Sequence, residues 1–103
     1  MQDLVADQIF KIISEDLAQL TLKYVEKVLE SAKGRYASVT YHNLKFFMYR
    51  QGYNVYRLQS GQLSFISQAA LALILNKYRG RIIKVKRRLK RGAGWRITIK
   101  VRQ

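Results

Sequence analysis

From Ile82 to Leu89 and again from Trp95 to Val101 the side chains alternate in character, with Lys90-Arg91-Gly92-Ala93-Gly94 between the two runs. Ile83, Val85, Trp95, Ile97, Ile99 and Val101 share one parity; Lys84, Lys86, Arg88, Arg96, Lys100 and Arg102 share the other. Successive side chains of a strand point to opposite faces. A period of two over both runs, with glycines in the connection, therefore predicts a β-hairpin with one buried face. The other face is almost wholly cationic. Such a face needs a polyanion, or a great deal of water, in front of it.

The charge of the whole chain points the same way. All six acids (Asp3, Asp7, Glu15, Asp16, Glu26 and Glu30) and only three of the twenty lysines and arginines fall in residues 1–30. The other seventeen cations share residues 31–103 with no carboxylate, so that part cannot neutralise itself by internal ion pairs. A nucleic acid or an anionic membrane is the partner such asymmetry implies. The membrane reading needs a basic amphipathic helix, whereas these cations sit mainly on the hairpin. No small-molecule substrate is expected.

A length of 103 residues allows a single core, and 49% hydrophobic content favours a folded domain over a basic tail. With no cysteine there are no disulfides, thiolate metal sites or cysteine nucleophiles. One histidine and few acids leave a zinc or calcium site almost without ligands, so no metal and no cofactor are expected. The first ten residues, MQDLVADQIF, carry two aspartates and no cationic segment, unlike a signal peptide. No apolar run approaches the ~18–20 residues that span a bilayer. The expectation is a cytoplasmic protein, nucleoid-associated if it binds DNA.

Residues 3–33 read as one long helix whose stripe runs through Phe10, Ile13, Leu17, Leu20 and Tyr24, with Val28 one turn on. Gly34 suits the position after its end, and Ser14-Glu15-Asp16 is a candidate break. The stripe has two readings: packing on its own domain, or a seam that also meets a second copy in a homodimer. Arg35 to Val39 is a candidate third strand. Thr40 is expected to cap a second helix, Tyr41 to Gln51, with Leu44, Phe47 and Met48 inward and Gly52 at its end. Val55 and Leu58 of the connector should point inward. Ser60 is expected to cap a third helix running to Tyr78, with Leu63, Ile66, Ala70, Leu73 and Ile74 as its core side and Lys77 and Arg79 at its end as candidate nucleic-acid contacts. Its first turns carry Gln62, Ser64, Ser67 and Gln68. Uncharged polar side chains there either reach base edges in a major groove, where glutamine reads adenine, or act as caps and solvent-facing residues. His42 has no sequence neighbour to act with and is assigned no chemistry.

A long helix, a short helix, a connector, a helix with a polar start and a basic glycine-tipped hairpin resemble, in that order, the winged helix-turn-helix family. The expected fold class is α+β, with three or four helices and a C-terminal hairpin as the wing. Residues 1–34 would be the long helix and dimerisation element, and 35–103 the nucleic-acid-binding part of the same domain. The resemblance implies that Gln62, Ser64, Ser67 and Gln68 face bases, while Arg88, Lys90 and Arg91 reach phosphates or a minor groove. Size, charge and the lack of cysteine and proline look like small archaeal, plasmid or viral regulators. A shorter run, Leu44 to Gly52, resembles part of a centromeric histone-fold protein, but a histone fold leaves the hairpin unexplained.

The chemistry of the cations is backbone neutralisation. Arg88, Arg91 and Arg96 can hold phosphate oxygens bidentately, and Lys84, Lys86 and Lys100 act as point charges. Binding through them releases condensed counterions and depends steeply on salt. A hydrolase would need paired carboxylates or a metal cluster, and every acid lies on the first helix, so no enzyme and no catalytic residue are expected. Duplex DNA binding by a transcriptional regulator or architectural protein is the leading expectation, and a ribosomal or RNA-scaffold protein is the alternative.

Overall fold

The computed structural model of the chain describes residues 2–87 and 94–102, with the backbone alone for residues 2–15. In chain order the elements are α1 (Gln2–Ser31), β1 (Tyr36–Thr40), α2 (Tyr41–Arg50), a 3-10 turn (Val55–Arg57), α3 (Ser60–Lys77), β2 (Ile82–Arg87) and β3 (Trp95–Lys100). The fold is α+β. Its three strands form one antiparallel sheet in the order β1-β3-β2, so the last strand is the central one. The expected hairpin is present, and the candidate third strand pairs along β3, shifted one residue to Tyr36–Thr40.

Inward alternation holds along β3, where Trp95, Ile97 and Ile99 are buried. It breaks in β2. The register slips between Ile82 and Lys84, so Ile82 lies opposite Ile99 and packs on the core, while Ile83 is 51% exposed. Sequence parity had Ile83 inward. A bulge places two residues opposite one and resets the alternation, which a period count cannot detect. From Lys84 onward the parity is as expected.

The helices depart from expectation mainly at their ends. α1 runs through Ser14-Glu15-Asp16 without a break, since no glycine or proline interrupts its backbone ladder there. It stops at Ser31, where the Ala32 N–H donates to the Leu29 carbonyl at 3.3 Å and tightens the last turn. Gly34 lies beyond that end and does not take a left-handed conformation, unlike Gly52 (φ 98°) after α2 and Gly80 (φ 88°) after α3. Thr40 caps α2 as expected, its hydroxyl accepting from the Asn43 N–H at 3.2 Å. In α3 the cap is Gln59 rather than Ser60. The Gln59 N–H donates to Gln62 Oε1 at 3.1 Å, which leaves Ser60 already helical.

One core joins all the elements, through Leu17 and Val25 of α1, Val39 of β1, Leu44 and Met48 of α2, Val55, Ile66 and Ile74 of α3, and the inner face of β3. The polar groups inside it are satisfied: Thr21 Oγ1 donates to the Leu17 carbonyl at 2.7 Å. Trp95 Nε1 donates to the Ser67 carbonyl at 2.9 Å, tying the central strand to α3. Tyr41 packs its ring 5.8 Å from that of Trp95 and donates its hydroxyl to the Leu63 carbonyl at 2.8 Å. Burial, aided by nearby Tyr56, pushes the Tyr41 phenol from 10.0 up to about 12.

A phenol whose folded pKa is raised contributes stability that is complete below its unfolded pKa. That contribution is lost as pH climbs through the interval from about 10 to about 12. Tyr41→Phe should cost about 1 kcal/mol at neutral pH for the lost hydrogen bond. It should also flatten the alkaline loss of stability relative to the wild type, as followed by urea unfolding against pH.

Candidate nucleic-acid interface

The outer face of the sheet follows from its register, because residues directly opposite each other in an antiparallel pair project to the same side. With Ala37, Val39, Ile97 and Ile99 buried inward, the outward rows are Thr40–Arg96–Lys86, then Ser38–Thr98–Lys84, then Tyr36–Lys100. Lys84, Lys86, Arg96 and Lys100 are all exposed on this face. Thus four of the sequence-predicted contact residues, on two strands, share one surface. Like charges directly opposite each other destabilise a sheet, and Lys86 faces Arg96 in just that way. No residue after Glu30 can relieve them with a carboxylate.

At the hairpin end this face runs into a cleft of about 560 Å³ lined by Thr40, His42, Asn43, Lys86, Arg87, Gly94, Trp95 and Arg96. Arg87 is a cation that parity reasoning passed over: it lies opposite Trp95, on the inward side, yet is exposed beyond the cover of the helices. His42, given no role from sequence, lies on the wall of the same cleft. A cation's position relative to the end of the core is a tertiary property, and no sequence signal marks it.

The predicted base-reading residues of α3 do not share one face. Gln68 is exposed; Ser64 is half-buried; Gln62 is half-buried with its amide oxygen engaged at the cap. Ser67 is fully enclosed, so its expected contact with bases does not fit this structure. The reason is helical spacing: Ser67 follows Leu63 by four residues and precedes Ala70 and Ile74 by three and seven, which places it on the inward stripe. The exposed side of α3 instead carries Gly61, Phe65, Gln68, Ala69, Ala72 and Asn76. Lys77 and Arg79 are exposed at the far end of α3 and do not line the cleft. Arg88, Lys90 and Arg91 lie outside the described residues.

Of the proposed dimer seam, Leu17 and Tyr24 are buried in the protein's own core and Leu20 packs against it. The side chains of Phe10 and Ile13 lie outside those described. Asp16 accepts from the Tyr53 hydroxyl at 3.0 Å, which raises the Tyr53 phenol, while Glu26 and Glu30 line a groove with Arg81 and Arg102. Among the described residues, no group of three His, Cys, Asp or Glu could hold a metal ion, and no helix is long and apolar enough to cross a membrane.

Comparison with family models, curated proteins and solved structures finds no match to this chain. The site must be read from its own residues.

The bulge makes a direct test of which residues belong to the outer face. Ile83→Ala should change stability by no more than about 0.5 kcal/mol, as for other exposed positions. Ile97→Ala should cost about 2–5 kcal/mol through the cavity it opens. Equal losses in denaturant unfolding would contradict the register.

Proposed function

We propose that the chain is a non-enzymatic nucleic-acid-binding protein of winged helix-turn-helix layout, which holds the sugar–phosphate backbone of duplex DNA at the hairpin end of its sheet. The observation that carries this reading is the Lys86–Arg96 pair, set face to face on two strands, beside Arg87 in an open cleft that no described carboxylate lines. An arrangement that costs the free protein stability is offset when phosphates occupy the space in front of it. The order helix, strand, helix, helix, hairpin and the β1-β3-β2 sheet are compatible with the winged-helix layout.

In that layout α3 enters the major groove. Its exposed side offers Gln68 for adenine and Ala72 for a thymine methyl group. The balance is weighted toward backbone contact, since the exposed side of the helix carries no cation before Lys77. Such a protein acts as a transcriptional regulator or an architectural DNA binder. A homodimer through α1 would rest on residues ahead of Asp16, because Leu17 and Tyr24 are already used inside the fold.

The test is a gel-shift series with duplex DNA, single-stranded DNA and folded RNA at several salt concentrations, beside a mass measurement. Contact with ~5–7 phosphates gives a log–log salt slope of about −4.5 to −6 on duplex. Lys86→Ala with Arg96→Ala should weaken all duplex sequences alike and reduce that slope by about 1.8. An unaltered slope would remove the sheet from the interface, and a monomer preferring folded RNA would favour an RNA-scaffold role instead. Gln68→Ala should change the ranking of duplex sequences, with about 1–3 kcal/mol at the base it reads. Uniform weakening would show that Gln68 reads no base.

A further inference from the structure

At the opposite end of the same sheet, roughly 13 Å along β3 from Arg96 at the usual strand rise, a second pocket has different chemistry. Arg35, Tyr36, Lys100, Val101 and Arg102 line a cleft of about 280 Å³. Tyr36 stands on the outward face directly opposite Lys100 and is 55% exposed. We infer that this pocket binds single-stranded nucleic acid, stacking one unpaired base on the Tyr36 ring while Arg35 and Lys100 hold the adjoining phosphates.

A half-exposed aromatic ring with cations on either side is what sequence-tolerant capture of an unpaired base requires. A duplex cannot use the ring, because its bases are already stacked on one another. The other exposed tyrosines have ring contacts within the chain. Tyr49 and Tyr56 meet edge-on with centroids 5.8 Å apart, and Lys45 lies 5.7 Å over Tyr56. The floor of the Tyr36 pocket is held in shape. The Val101 N–H donates to the Arg35 carbonyl at 2.9 Å, and the Lys100 N–H to the Arg81 carbonyl at 2.8 Å. Arg81 donates from Nε to the Lys100 carbonyl at 3.1 Å and from Nη2 to the Val101 carbonyl. A base therefore meets a surface already ordered, which lowers the cost of binding. Arg102 also lines the groove that contains Glu26 and Glu30, so Arg35 and Lys100 carry the electrostatic part of the argument.

The inference shares the cationic sheet face with the duplex reading but not its site, so the two can fail separately. The full chain is titrated with fluorescent fifteen-nucleotide dT and rU strands and with a duplex of equal length, by anisotropy. Tyr36→Ala should weaken binding of the single strands about 5- to 150-fold, the worth of one stacked base. Tyr36→Phe should restore it, and duplex affinity should stay within about twofold of wild type for both variants. Lys100→Ala should lower the single-strand salt slope by about 0.7. Single-strand binding that is indifferent to Tyr36→Ala overturns the pocket whatever the duplex does, as does a wild type that binds duplex alone. Parallel loss on both probes also overturns it, because stacking would not touch the duplex. Tyr36-dependent capture of single strands without duplex binding upholds the pocket and removes the duplex reading.

Discussion

Everything in this molecule leans on the strict alternation of β3. Its inward residues, Trp95, Ile97 and Ile99, close the core beneath all three helices, while Arg96 and Lys100 project from the other side of the same strand. A slip of one residue would send arginine and lysine into an apolar interior and tryptophan into water. The register is held from both edges, by β1 and by β2, and by the Trp95 indole donating to the Ser67 carbonyl of α3. The core and the cationic surface are therefore two consequences of one strand, and neither can be altered without the other.

That coupling explains why the charge is tolerable. A folded domain with a net charge of +14 repels itself, and none of the described lysines and arginines is buried away from the water that screens them. The only acids lie on α1, the element farthest in sequence from the hairpin. Of these, Asp16 is engaged by Tyr53, and Glu26 and Glu30 line a groove with Arg81 and Arg102. The outer sheet face is left with cations and small hydroxyls at its centre, a polar cleft at one end and an exposed tyrosine at the other. Under the two proposals the ends would serve different forms of the same polyanion: phosphates alone at the hairpin end, and a phosphate with a bare base at the Tyr36 end.

The alternation of residues 82–101, the acid-free stretch after Glu30 and the spacing of Leu44, Met48, Ile66, Ala70 and Ile74 were enough to determine the α+β class, the hairpin, most of the inward side of α2 and α3 and the outward direction of Lys84, Lys86, Arg96 and Lys100. Those features depend on local periodicity and on side-chain chemistry, both of which are written in the order of residues. Tertiary structure alone decided the rest. The bulge at Ile83 reflects how β2 must bend to keep both Ile82 and Val85 on the core. The meeting of Tyr36 with Lys100, sixty-four positions apart, exists only once β1 pairs with β3. Pairing between distant strands is a property of packing against a shared core, and no count of neighbours along the chain contains it.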